Sequence, residues 1–135
     1  MGPGAVAVAA GLDFVAVRRG ALGVLMFVGP AFVIARVLAR GSADSLAWLV
    51  LVAGLLFGAT FGGYAGARDR PPTPVSHGAA SAAAGLGAIL VIALAVQAFA
   101  GDLSLSIALT ALLILQIGTA LGCLGGLLGG KGYHP

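Results

Sequence analysis

The chain has 135 residues, of which 60% are hydrophobic and 8% are charged, and its net charge at pH 7 is +3. Ordinary soluble domains carry about 25% charged residues, so this composition indicates a membrane protein and argues against a soluble enzyme or a nucleic-acid-binding module with a basic surface. All four acidic residues are Asp, and the chain has neither Glu nor Asn.

Four apolar stretches are each long enough to cross a hydrocarbon core of about 30 Å. They cover approximately residues 20–39, 46–67, 78–100 and 103–128. Residues 5–19 form a shorter segment that we expect along the membrane interface. The sequence therefore predicts an all-α membrane protein, with residues 1–135 in a single transmembrane domain of four helices.

The connections between these spans carry capping and helix-breaking residues. Asp44 or a neighbouring Ser is expected to cap the second helix, and Ser76 the third. Three prolines in the connection from Arg68 to His77 forbid continued helix. We expect His77 to lie in a solvated loop, since the sequence offers no set of metal ligands around it.

Basic residues are distributed unevenly between the two ends of the spans. Five flank the first, middle and last connections, and two lie on the opposite side; the five are Arg18, Arg19, Arg68, Arg70 and Lys131. The positive-inside rule then places both termini in the cytoplasm. We expect a multi-pass protein of the plasma membrane, specifically a bacterial inner membrane.

Glycines recur at every fourth residue in two apolar runs. The first ladder is Gly54, Gly58, Gly62 and Gly66; the second ladder is Gly118, Gly122, Gly126 and Gly130. The two ladders are offset by 64 positions, which suggests two tandem helical hairpins in a parallel repeat. Chance self-matching of a glycine-rich chain is the competing interpretation.

Each ladder predicts a helix face for close packing, because glycine lets two backbones approach in lipid. The simplest arrangement packs helices two and four against each other at the centre of the bundle. Alternatively, the ladders face outward and bind another copy of the chain or the subunits of a larger membrane complex.

Few polar side chains lie inside the spans. Gln116 and Thr119 share one side of the fourth span, and Thr60 and Gln97 lie in the second and third. These four residues could line a narrow polar path. Interhelical hydrogen bonds are the simpler interpretation, because isolated Gln and Thr residues commonly serve that purpose in membranes.

Arginines at the span ends are candidates for contact with lipid or a partner. Arg36 and Arg40 are one helical turn apart and could bind a lipid phosphate or an acidic partner, although a snorkelling pair at a helix end is the simpler interpretation. Arg68 and Arg70, close to His77, could form a phosphate-binding patch on the cytoplasmic side.

No catalytic set can be assembled from this sequence. It lacks paired carboxylates, a nucleophile with a nearby base, and a cluster of metal ligands. The glycine ladders also lack the strand, the following helix and the Lys of a phosphate-binding loop. We therefore expect no enzyme activity, no cofactor and no metal.

One segment carries a family resemblance. Residues 62–68 read Gly-Gly-Tyr-Ala-Gly-Ala-Arg, and residues 77–80 read His-Gly-Ala-Ala at the head of the third helix. This pattern resembles uncharacterised small four-helix bacterial integral membrane proteins. The resemblance implies a four-helix fold and no particular activity.

Two functions remain open at this stage. The first is a non-catalytic accessory or assembly subunit that lies in the lipid bilayer and packs through its glycine faces, as a homo-oligomer or within a larger membrane complex. The alternative is a small oligomeric channel or transporter for an ion or small solute.

Overall fold

The computed structural model describes residues 12–68 and 73–131, and nearly all of these residues are helical. The helices are α1 (Phe14–Arg40), α2 (Asp44–Ala67), α3 (Pro74–Ala100) and α4 (Leu105–Lys131). Each is long and apolar enough to cross a membrane; at 1.5 Å per residue the helices measure about 36 to 40 Å. The protein is therefore an all-α, multi-pass membrane protein with four transmembrane helices.

Helices α1 and α3 begin four or more residues earlier than the apolar runs predict, and α2 begins two residues earlier. Residues 14–19 belong to α1 instead of an interfacial segment, while residues 5–11 lie outside the described residues. Helix α3 begins at Pro74. Proline is favourable at this position because the backbone N–H groups of the first helical turn have no hydrogen-bond partner within the helix. The expectation that Ser76 caps this helix is therefore wrong, and Ser76 is an exposed residue within the first turn.

Local hydrogen bonds define the helix ends. Asp13 caps α1, with Oδ1 accepting from the N–H groups of Val15 and Ala16 at 2.9 and 3.4 Å. Asp44 does not cap α2; the capping position is Ala43, which makes no side-chain bond, and Asp44 lies in the first turn. Gly101 ends α3 with a φ of 77°, a left-handed conformation that glycine adopts without steric cost.

The helices pack as two antiparallel hairpins side by side. Helix α1 contacts α2 and α3, α4 contacts the same two helices, and α2 and α3 also meet across the bundle. Within the described residues, α1 and α4 do not pack together. The core is built around Val24 and Val28 of α1, Ala59 of α2, and Ala82 and Leu86 of α3.

Burial is concentrated at one end of the bundle. The buried residues of α3 all lie between His77 and Leu86. Ile92 and Phe99 lie on the same side of α3 as the buried Ser81, yet they are 65% and 93% exposed. We call the end formed by the starts of α1 and α3 and the ends of α2 and α4 the tight end, and the opposite one the open end.

Candidate functional site at the tight end

A buried histidine connects α1 to the start of α3. His77 is only 1% exposed. Its Nε2 accepts a hydrogen bond from the backbone N–H of Asp13 at 2.8 Å. Its Nδ1 lies 2.8 Å from the carbonyl oxygen of Thr73 and 2.9 Å from the Thr73 hydroxyl. The expectation of a solvated loop histidine is wrong, because α3 begins one turn earlier and carries the ring into the bundle.

This hydrogen-bond pattern fixes the tautomer of the neutral ring. Nε2 accepts from a backbone N–H, so it carries no proton in this arrangement, and Nδ1 holds the proton that it can donate to the Thr73 carbonyl. Both ring nitrogens are thus engaged by neighbouring groups. Among the described residues, no group of three or more His, Cys, Asp or Glu side chains could hold a metal ion.

Ser81 lies one turn after His77 and is completely buried. Its hydroxyl oxygen has no hydrogen-bond partner within the described part of the chain. A Cβ atom added at Gly20 of α1 or at Gly66 of α2 would overlap this hydroxyl. Ser81 therefore fills the space that is left because Gly20 and Gly66 have no side chains. The burial of Ser81 could not be predicted from the sequence, because a lone Ser among alanines gives no signal.

Three glycines of the first ladder, Gly54, Gly58 and Gly62, face α1 within their own hairpin, whereas Gly66 packs against Ser81 of α3. A Cβ at Gly58 would lie 2.8 Å from Cγ2 of Val28, and one at Gly62 would lie 2.7 Å from the carbonyl oxygen of Gly20. Real Cβ contacts are not this short, so side chains at these positions would push α2 away from α1. Gly54 likewise packs against Ala31.

The second ladder faces α3. A Cβ at Gly122 would lie 2.6 Å from the carbonyl oxygen of Gly78, and one at Gly130 would lie 2.7 Å from Cβ of Pro74. Gly118 packs against the side chain of Leu86, and Gly126 lies closest to Pro74. Helices α2 and α4 do meet, as expected, but the ladders do not face each other: the second ladder and most of the first pack against the antiparallel neighbour in their own hairpin.

Helices α2 and α4 meet through a different set of glycines. A Cβ at Gly63 of α2 would lie 2.8 Å from the Cα of Gly122. On α4, a Cβ at Gly129 would lie 2.8 Å from the carbonyl oxygen of Tyr64, and one at Gly125 would overlap the carbonyl oxygen of Thr60. Gly63, Gly125 and Gly129 stand outside both ladders, which is why the four-residue spacing missed them.

The two hairpins differ in register. In the first, Gly58 packs against Val28, 30 positions earlier; in the second, the equivalent Gly122 packs against Ala82, 40 positions earlier. The ladders are offset by 64 positions, but α3 begins only 60 positions after α1. An internal duplication stays a prediction, and the two hairpins do not repeat the same contacts.

Basic side chains surround the tight end. The Nε of Arg19 donates a 3.0 Å hydrogen bond to the carbonyl oxygen of Ala65, which links the start of α1 to the end of α2. Arg18, Arg68 and Lys131 are exposed at the same end. Arg70 lies outside the described residues.

The arginines of the open end lie beside a cleft. This cleft of about 300 Å³ between α1 and α2 is lined by Arg36, Asp44 and Trp48 together with apolar residues. Arg40 is exposed and ends α1. Among the described residues, no ion pair joins Arg36 to Asp44.

The four candidate polar residues of the spans do not form one line: Gln116 and Thr119 are neighbours on α4, but Thr60 and Gln97 lie at different depths. Thr60 is half-buried and close to Gly125, near the tight end, whereas Gln97 lies three residues before the end of α3 at the open end. Thr119 donates its hydroxyl to the carbonyl oxygen of Leu115 at 2.7 Å, within α4. Gln116 is exposed.

Comparison with known proteins finds no matching family model, no matching curated protein and no matching solved structure. The resemblance to small four-helix bacterial membrane proteins therefore stays a prediction.

Proposed function

We propose that the protein is a non-catalytic integral membrane protein that acts as an accessory or assembly subunit. The observation that carries this proposal is the use of the buried polar groups. His77 and Asp13 bond to each other and to backbone groups nearby, so their chemistry is used to hold helices together. No reactive side chain in this cluster combines a nearby base with access for a substrate.

The packing of the glycines changes where a partner is expected to bind. The ladder glycines contact α1 and α3 inside the bundle, so a partner subunit must bind at another surface. The open end of α3 offers large exposed apolar side chains, such as Val91, Ile92 and Phe99. A partner subunit of a membrane complex would bury this surface in place of lipid.

Orientation and lipid contact belong to the same proposal. Arg18, Arg19 and Arg68 gather at the tight end, which favours a cytoplasmic position for that end and for both termini, in a bacterial inner membrane. At the open end, Arg36 and Arg40 are placed to contact lipid phosphates, and the cleft beside Arg36 offers room for a headgroup.

The alternative of an oligomeric channel has less support. A polar path would need polar groups along one line, but Gln97 lies at a different depth from Thr60, and the Thr119 hydroxyl donates its proton to a carbonyl of its own helix. A channel could still arise between copies of the chain, so ion flux is the discriminating measurement.

Purification in mild detergent, together with flux assays in liposomes, tests the proposal. We expect another membrane protein to co-purify at a fixed ratio and the reconstituted protein to leave liposomes ion-tight. Phe99→Ala at the open end should reduce co-purification, whereas Phe57→Ala should not; these side chains are 93% and 68% exposed. Ion leakage by a defined homo-oligomer without another subunit would instead establish the channel.

A further inference from the structure

Gln116 is a polar side chain in an apolar environment. It is residue 12 of the 27 in α4, which places it about 17 Å along a helix of about 40 Å and hence near the middle of the bilayer. The residue is exposed, and its amide makes no hydrogen bond within the part of the chain that the structure describes. An amide facing hydrocarbon without a partner is strongly unfavourable.

The side of α4 that carries Gln116 is directed away from the bundle. The buried residues of α4 are Ala111, Gly118, Gly122, Gly125, Gly126 and Gly129. At 100° per residue, eight exposed residues lie within about 45° of the opposite direction, and two of them, Ser106 and Lys131, are at the ends of α4. The other six form the outer stripe: Leu109, Leu113, Gln116, Ala120, Leu124 and Leu127.

The spacing within the outer stripe is suited to helix pairing. Its members are separated by four, three, four, four and three positions, and such steps of three and four residues keep one face of a helix against a partner helix. Large side chains at Leu109, Leu113 and Leu127 provide contact area, and Ala120, one turn from Gln116, lets the backbones approach.

We propose that the outer stripe binds the outer stripe of a second copy, with the two Gln116 amides hydrogen-bonded to each other across a twofold axis along the membrane normal. An amide has both a donor and an acceptor, so two identical amides at the same depth satisfy one another. Two copies with the same topology meet this condition automatically in a symmetric dimer.

Association of two copies through the outer stripe fits the structure better than association through the glycine ladders. Both ladders are occupied by α1 and α3 and contribute no surface for association. The outer stripe contains none of the buried residues of α4 and lies on a different helix from the proposed partner surface, so the dimer forms whether or not an accessory role brings a further subunit to α3.

Disulfide cross-linking in liposomes tests this inference. The single cysteine of the chain, Cys123, is first replaced by serine. In this background, Leu113→Cys places a thiol on the outer stripe and Leu56→Cys places one on α2; the two leucines are 55% and 45% exposed. After treatment with copper phenanthroline, we expect a covalent dimer from Leu113→Cys and little from Leu56→Cys. Equal cross-linking, or none from Leu113→Cys, would overturn the proposal.

A second pair of variants isolates the amide. Gln116→Leu should raise the dissociation constant of the dimer in detergent about tenfold, as expected for the loss of two interhelical hydrogen bonds. Gln97→Leu on α3 should leave it unchanged, and the helical content of both variants should remain normal because Gln116 is exposed. If Gln116→Leu dimerises as well as the parent chain, the amide contact does not exist.

Discussion

The backbone N–H of Asp13 and Nε2 of His77 form a 2.8 Å hydrogen bond between residues 64 positions apart. Because Asp13 also caps α1 through its carboxylate, a single residue sets both the start of α1 and the position of the ring on α3. The two hairpins are thus joined at the tight end by a specific polar contact as well as by packing.

Replacing this ring tests its structural role. His77→Ala removes two hydrogen bonds and a fully buried side chain, so we expect the free energy of unfolding to fall by about 2–4 kcal/mol. Unfolding in mixed micelles, followed by circular dichroism, measures the change. Ser76→Ala, at an exposed neighbour in the same turn, is the control and should shift stability by less than about 0.5 kcal/mol. Equal effects would contradict the buried role.

The buried hydroxyl of Ser81 should carry a stability cost. Ser81→Ala removes a polar group that lacks a partner among the described residues, so we expect a gain of about 1 kcal/mol in the free energy of unfolding. Ser45→Ala, at an exposed hydroxyl, serves as the comparison and should have little effect. A loss of stability in Ser81→Ala would indicate that the hydroxyl is bonded after all.

The contact between Gly66 and Ser81 can be measured with a double-mutant cycle. Gly66→Ala places a methyl group onto the Ser81 hydroxyl and should cost about 1–3 kcal/mol. Ser81→Gly frees that space, so the double variant should lose at least about 1 kcal/mol less than the two single changes added together. Strict additivity would mean that the two residues do not touch.

The second ladder is tested by comparing a glycine that contacts a neighbouring helix with one that does not. Gly122→Ala brings a methyl group against the carbonyl oxygen of Gly78 and should lower the free energy of unfolding by about 1–3 kcal/mol. Gly87→Ala on α3 meets nothing within 4 Å. Because alanine favours helix more than glycine does, Gly87→Ala should leave the free energy of unfolding unchanged or raise it by up to about 1 kcal/mol. Similar losses in both variants would rule out a specific ladder contact.

The four spans could be predicted because long apolar runs have few alternatives in lipid. Partner choice could not be predicted in the same way. The spacing of Gly58 and Gly62 defines a small face on α2, but only the antiparallel turn to α1 decides what that face meets. The short connection between α1 and α2 brings α1, and not α4, against the glycine face of α2.

The environment of His77 depended on information that local sequence does not contain. Its burial follows from the start of α3 at Pro74 and from the proximity of Asp13, which is remote in the chain. Ser81 gave no signal because its surroundings are created by glycines on two other helices. Gln116 was recognised as a polar residue, but the direction in which it faces needed the buried side of α4 to be known.

The unequal burial of the two ends has an evolutionary consequence. At the tight end, replacing glycines such as Gly62, Gly63 and Gly122 with any larger residue moves a backbone, so selection there should retain hydrogen as the side chain. At exposed positions outside the proposed partner surfaces, such as Val33 and Val37 of α1, one apolar residue can substitute for another with little effect. Descendants of this gene should therefore diverge quickly at positions that face acyl chains, and slowly where the helices touch.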